Sequence, residues 1–435
     1  MPFRREGALR ILLIGGGGRE HAIAWALSKS PQVEKVFCAP GNGGTSNGFL
    51  KIENCSPSIG ALDFNALLDF ATVNGVNLVV PCPDAPLVKG ITDHFRRKGF
   101  RVFGPSMDAA RIEGSKYWAK DFMTRHGIPT ATYRNFSAAT DAFSFIEEQS
   151  ETRFVVKASG LAVGKGVILT DSKEDAMAAI KDIMIDRIFG DAGDEIVIEE
   201  FLFGREISLT LITDGNVWKL FPAGQDAQRI LDGNLGENTG GMGVCVPLEL
   251  LSNSEFQQIE STILRPTIDG LKSEGYPFVG FICIGLMQTS VGLKLIEYNA
   301  RFGDPEAQTL LPLMDSDSDL AEIMSSCIDG RLQAVHLGFE HKAAVSVVMA
   351  ADGYPKLPQI GQLIQITPLP KHILLFHAGT KKKDDDFQTS GGRVLASVCV
   401  ADSVKEAVQG AYEGVGYVHF SGKYYRTDIG SGYVV

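Results

Sequence analysis

Phe154-Val155-Val156-Lys157-Ala158-Ser159-Gly160-Leu161-Ala162-Val163-Gly164-Lys165-Gly166-Val167-Ile168-Leu169 is the stretch on which the fold turns. Apolar, β-branched runs stand at either end, and the segment between them carries three glycines and two lysines. The pattern predicts strand, loop, strand: a hairpin with a long flexible tip. It is not a Walker loop, which needs Ser or Thr after Lys165, where Gly166 stands, and which joins a strand to a helix. Glycines let backbone approach an anion and lysines supply charge, so the loop suits a flap over a triphosphate. Taken alone, the stretch also fits a plain flexible hairpin.

A different signature precedes it. Residues 9–14 read as a buried strand, Gly15-Gly16-Gly17-Gly18 as a loop, and Arg19-Glu20-His21-Ala22 as the opening of a helix. Further strands are expected at 36–39, 78–80 and 102–105. Strands alternating with helical segments predict a parallel sheet whose ligands sit beyond the strands' carboxyl ends. The four glycines before a helix form an anion cradle by their physics. They lack the GxGxxG spacing, and Glu34-Lys35-Val36 places no acidic residue at a strand end, which disfavours NAD. From Ser115 the pattern changes to a helix at 116–126, the hairpin, a helix at 172–185 and a strand at 195–199. Long strands and helices then alternate to about residue 330. A polar stretch near 331–342 reads as a boundary, followed by short strands (344–349, 394–400) and one helix (403–412). Lys381-Lys382-Lys383-Asp384-Asp385-Asp386 reads as a solvated loop tip.

Glu297-Tyr298-Asn299-Ala300-Arg301-Phe302-Gly303-Asp304-Pro305-Glu306 closes the apolar run 293–296. Alternation along a strand puts Glu297, Asn299 and Arg301 on one face. Carboxylate and amide oxygens are ligands that Mg²⁺ accepts, and arginine offers a fixed fork of donors to phosphate. The residues alone also fit a solvated strand end before a turn. Ile198-Glu199-Glu200-Phe201-Leu202 is a strand end whose backbone at Phe201 and Leu202 can pair with an adenine edge, with Glu206 placed for ribose hydroxyls; taken alone, the segment favours an ordinary acidic strand end. Asn238-Thr239-Gly240-Gly241-Met242-Gly243 can wrap a very small ligand by backbone contacts.

At 435 residues the chain suits roughly three domains. Its formal net charge of −11 argues against a nucleic-acid surface, and it has no apolar run long enough to span a membrane. Seven cysteines are scattered without a CxxC pair, which suggests reduced thiols in a cytoplasmic protein rather than a disulfide frame or zinc site. Residues 1–10 are charged and the following apolar run is too short for a signal sequence. Oligomeric state is not legible.

Taken in order, these segments resemble the ATP-grasp ligases, and within them the phosphoribosylamine–glycine ligases. The likeness also includes Pro40-Gly41-Asn42, Phe103-Gly104-Pro105, Ser115-Lys116 and Tyr425-Arg426-Thr427-Asp428-Ile429-Gly430. It implies an α/β and α+β architecture: an N-terminal Rossmann-like domain (1–114), an ATP-grasp core (115–335) with a small lid at about 133–200, and a C-terminal mixed β domain (336–435). It implies ATP and Mg²⁺, with Mn²⁺ as a substitute, and small-molecule substrates: an amino acid and an amine. ATP would convert glycine to an acyl phosphate, which the amine of 5-phosphoribosylamine would attack, a step in purine biosynthesis. Arg301 and Lys157 would be catalytic, and Glu297 and Asn299 would hold the metal. Lys116, Lys157, Gly164, Lys165, Glu199, Glu200, Phe201, Leu202 and Glu206 would bind ATP. Gly17, Gly18, Arg19, Asn42, Asp84, Asp226, Asn238, Gly240, Gly241, Met242, Arg301 and Asp304 would bind the other substrates.

Four segments depart from the family pattern: Cys82-Pro83-Asp84 for Gly-Pro-Glu, Gln225-Asp226-Ala227-Gln228-Arg229 for Gln-Asp-His-Lys-Arg, Asp232-Gly233-Asn234 for Asp-Gly-Asp, and Gly243-Val244-Cys245 for Gly-Ala-Tyr. They gather where the family handles acceptor and amino acid. They therefore raise a second expectation, a paralogue that keeps ATP activation but joins a different acid or amine. A third, an inactive ATP-binding scaffold, is opposed by the intact Glu297, Asn299, Lys157 and Arg301.

Overall fold

A computed structural model describes residues 8–46, 51–56, 58–162, 164–247 and 251–432. The charged opening 1–7 and Val163 of the hairpin loop lie outside them. Leu9–Gly15 is the inner strand of a parallel sheet, hydrogen-bonded to Val33–Pro40 on one side and Leu78–Pro81 on the other, with Ile52–Asn54 beyond. The strand is apolar on both faces because both are covered. Leu12 and Ile14 enter one apolar core, while Ile11 and Leu13 enter the other, beneath the helix Gly18–Lys29. The strand expected at 102–105 shrinks to a single parallel bridge, Val79 with Val102, because Gly104-Pro105 cannot continue a ladder. Ile52–Asn54, three residues long, carries too little pattern to be read from sequence.

The opening hairpin is present: Phe154–Ala158 pairs antiparallel with Val167–Thr170. Tyr133–Phe136 and Ile196–Glu200 extend it to a four-stranded sheet. The helices Ala139–Glu148 and Lys173–Ile180 cover it with their own small core around Ile146, Val156, Ile180 and Ile198. A second antiparallel sheet runs Trp218–Leu220, Arg205–Asp214, Val279–Thr289, Gly292–Asn299. The helix Lys116–Arg125 packs on it through Phe122 and Met123.

The C-terminal strands Ala343–Ala350, Arg393–Ala401 and Ile373–His377 form a third sheet, covered by the helix Val404–Gly416. Gln225–Asp226 and Gly243–Val246 join this sheet at the edge of Ala343–Ala350, although they come from the middle of the chain. Lys381–Asp386 is not a loop tip throughout. Thr380–Lys383 and Asp386–Thr389 pair as a hairpin, and only Asp384 and Asp385 make the turn, Asp384 at φ 56°. No described helix is long and apolar enough to cross a membrane.

Candidate active site

A cleft of about 400 Å³ opens between the hairpin of Phe154–Ala158 and Val167–Thr170 and the sheet carrying Glu297. That is the size of an ordinary small-molecule site. Its walls bring together Lys116, Lys157, Gly164, Glu199, Glu200, Phe201, Leu202, Glu206, Glu297, Asn299 and Arg301, from four separate stretches of the chain. Asp84, Asp226, Asn238, Gly240 and Asp304 line it as well. Glu297 and Asn299 end the strand Gly292–Asn299, with Arg301 just beyond it, and all three line the cleft. Asn299 Oδ1 accepts from the Arg301 guanidinium at 3.1 Å.

Lys157 is almost fully buried, and its ammonium lies 2.8 Å from Glu199 Oε1 and 3.3 Å from the carbonyl of Ile296. Burial opposes the charge on Glu199, but Lys157 and Lys120 outweigh it and hold the carboxyl below its usual range. Both lysines meet the same oxygen, Oε1, and Glu199 still lines the cleft. Burial pulls the Lys116 ammonium down, against the pull of Glu297. Burial and the nearby Glu297 carboxylate both push Glu206 up. Asp226 is half-buried, with Oδ1 fully buried and unpartnered; burial first, then Glu306, raises its carboxyl well above the usual range.

Several expected site residues lie elsewhere. Lys165 stands exposed on the loop and does not line the cleft. Met242 turns inward against Ile230 and Ala350, because the strand that follows must fill the C-terminal core. Gly241 lies behind the wall, at φ 108°, where a Cβ would sit 2.5 Å from Pro305 and 2.8 Å from Asp226 Oδ1. Asn42 spends its side chain on its own loop: Nδ2 donates to the carbonyls of Gly16, Gly17 and His377, and Oδ1 accepts from the Gly44 and Thr45 N–H groups. Gly17 and Gly18 pack against Asp304 and Gln308 rather than the cleft. Arg19 is buried; it donates to Glu20 at 2.7 Å and, with Arg301 and Cys82, borders a separate void of about 20 Å³. A void of that size holds one water.

Sequence reasoning missed three residues that position this site. Glu113 bonds the Ala300 N–H at 2.8 Å and pairs with Arg301 at 3.1 Å. Arg393, from the C-terminal sheet, donates to the carbonyls of Gly240 and Asp304 at 2.5 Å each and pairs with the Asp304 carboxylate at 3.4 Å. Lys120 lies 3.1 Å from Glu199. Its signal was available: it follows Lys116 by one helical turn and so shares its face.

The departures divide in the same way. Cys82, Asp84, Gln228 and Asn234 line one of the two cavities, but Ala227 and Cys245 face the C-terminal apolar core. The imidazole lost at 227 belonged to a position turned away from the cleft.

Three family models match the chain in order: the N domain of phosphoribosylglycinamide synthetase over residues 9–113, its ATP-grasp (A) domain over 114–307, and its C domain over 344–432. A phosphoribosylamine–glycine ligase of Chlorobaculum tepidum is 43% identical over 426 residues, covering 97% of this chain and 99% of its own. A bifunctional purine biosynthetic protein of Pichia angusta is 48% identical over 97% of this chain; the chain spans about half of that relative, 53% of its length. The crystal structure of phosphoribosylamine–glycine ligase from Thermotoga maritima superposes with a TM-score of 0.82 at 34% identity, over 97% of this chain and all of that one. The chain belongs to the phosphoribosylglycinamide synthetase family.

Proposed function

We propose that this chain joins glycine to 5-phosphoribosylamine at the expense of ATP, through glycyl phosphate. The observation that carries this is the convergence of buried lysines, Glu297, Asn299 and Arg301 on one cleft, in a chain 42–49% identical over nearly its whole length to relatives bearing that ligase name or a purine biosynthetic one. That identity leaves the paralogue reading without support, and the imidazole departure behind it lies off the cleft. The division at 114/115 and 335/336, with a lid at about 133–200, remains our proposal for the domains.

Lys116 and Lys157 bind the nucleotide's phosphates in this scheme. The backbone of Phe201 and Leu202 meets the base, and Glu206 meets the ribose. A divalent cation fits the donor set. Glu206 and Glu297 repel one another across the cleft, and Asn299 adds an amide oxygen of the hard type such ions accept. Glu297 and Asn299 would hold it, and when bound it neutralises charge on the phosphates. Mg²⁺ is the ion proposed, with Mn²⁺ able to replace it.

Arg301 presents a guanidinium that burial opposes but Glu113 and Asp84 keep firmly charged. It steadies negative charge as the phosphoryl group passes to the glycine carboxylate and as the amine attacks the acyl carbon. No protein nucleophile is required; rate comes from orientation and from charges fixed in place. Asp226 and Asp304 line the same cleft, and in this scheme they bind the amino acid and the amine.

The test is phosphate release with ATP, Mg²⁺ and glycine, with and without phosphoribosylamine. Turnover that requires all four supports the proposal. Turnover only with another acid or amine overturns the substrates, and tight nucleotide binding without turnover on any acid overturns the enzyme.

A further inference from the structure

Glu199 contacts two lysines with the same oxygen. Lys157 Nζ stands 2.8 Å and Lys120 Nζ 3.1 Å from Oε1, as close ion pairs rather than aligned hydrogen bonds. All three side chains are only 3% exposed. Lys120 is held from the other side as well. Its ammonium donates to Thr130 Oγ1 at 2.6 Å, and that hydroxyl donates on to the carbonyl of Leu295 at 2.6 Å. The chain of contacts runs from the strand carrying Glu297, through Thr130 and Lys120, to the lid strands carrying Glu199 and Lys157.

A single lysine paired with Glu199 in a dry site would have its charge cancelled. Two lysines against Glu199 leave that trio with one net positive charge; Glu206 and Glu297 act on Lys157 and Lys120 only from beyond contact, and at low dielectric the trio's charge acts strongly on a nearby anion. Burial draws the Lys120 ammonium down to about 8, against the pull of Glu199, so it remains mostly charged at neutral pH.

We infer that Lys120 is a positioning residue for nucleotide binding: by sharing Glu199 it leaves Lys157 with charge that Glu199 does not cancel, available to the phosphates. This rests on the proposed role of Lys157 as a phosphate ligand. Lys120 acts through Glu199, so removing its charge matters only while Glu199 is charged.

A double-mutant cycle on the full chain tests this: wild type, Lys120→Met, Glu199→Gln and the double variant, each titrated with ATP and Mg²⁺ by calorimetry and melted thermally. Methionine keeps the unbranched stem, and Glu199 retains Lys157, so the core is left filled. The expected result is ATP affinity lowered about tenfold by Lys120→Met alone, the cost of one charged contact. In the Glu199→Gln background the same substitution should change affinity less than about twofold. Lys120→Arg should restore most of the loss. An equal effect in both backgrounds, or none in either, overturns the inference, as does a loss of affinity matched by a collapse of the melting temperature. A wild-type chain that binds no ATP would instead overturn the proposed function.

Discussion

Replacing Glu113 by alanine should damage stability and turnover together, and replacing it by glutamine should separate the two. Glu113 is 7% exposed and makes two contacts: Oε2 accepts from the Ala300 N–H at 2.8 Å, and Oε1 pairs with Arg301 at 3.1 Å. Breaking a buried ion pair from one side costs about 3–5 kcal/mol when the remaining charge has no other partner. Arg301 is one-fifth exposed and keeps Asn299 Oδ1 at 3.1 Å and the carbonyl of Phe302 at 3.3 Å, so that part falls to about 1–2 kcal/mol. Leaving the Ala300 N–H unpaired adds about 1–2 kcal/mol. Glu113→Ala should therefore lose about 3 kcal/mol in urea unfolding. Glu113→Gln keeps an acceptor for Ala300 and should lose about half as much. Both release the Arg301 guanidinium from its aim, and a displacement of ~1 Å is worth about 100-fold in rate. Initial rates of phosphate release with Mg²⁺ and saturating ATP, glycine and phosphoribosylamine read this. Normal kcat in Glu113→Gln, or less than about 1 kcal/mol lost in Glu113→Ala, would refute the reasoning.

Glu297→Ala removes the carboxylate proposed for the metal and should lower kcat at least about 100-fold while the thermal melt stays near wild type; near-normal turnover would refute the assignment. Gly241→Ala places a Cβ against Pro305 and Asp226 at positive φ, and should cost more than about 1 kcal/mol in urea unfolding. Acid should destabilise the chain through His21 and His377, which burial pulls down to about 4 and about 3. Below pH 6.5 the unfolded imidazoles take up protons that the folded ones refuse, so stability present at neutral pH is lost as pH falls from 6.5 toward 4. Each contributes at most about 1.4 kcal/mol per pH unit in that window, and urea midpoints at pH 7 and pH 5 measure it. An unchanged midpoint would refute the burial of that pair.

The parallel sheet, the hairpin with its Gly-rich loop and the strand ending at Asn299 were legible because each rests on local periodicity. Ile11–Ile14 is apolar on both faces, as a covered strand requires; Phe154–Ala158 and Val167–Thr170 bracket a loop too rich in glycine for a helix. Local pattern failed where a neighbour decides. Val102 pairs for one residue only, and Lys381–Lys383 become strand through partners at 386–388. Asn42 and Met242 sit inside well-read motifs, yet one side chain closes a loop and the other fills a core.

Residue types and spacing by themselves determined that the chain carries lysines, carboxylates and a guanidinium suited to phosphoryl chemistry, and which strand ends present them. Only the tertiary structure decided what those charges do to one another. Glu199 answers to two lysines, one of them unread in the sequence. Arg301 is aimed by Glu113 from 188 positions earlier, and Arg393 of the C-terminal sheet pins Gly240 and Asp304 from across the fold. The physical reason is range: strand and turn preferences act between adjacent residues, whereas a buried charge is set by whichever partners the packed core brings within about 4 Å.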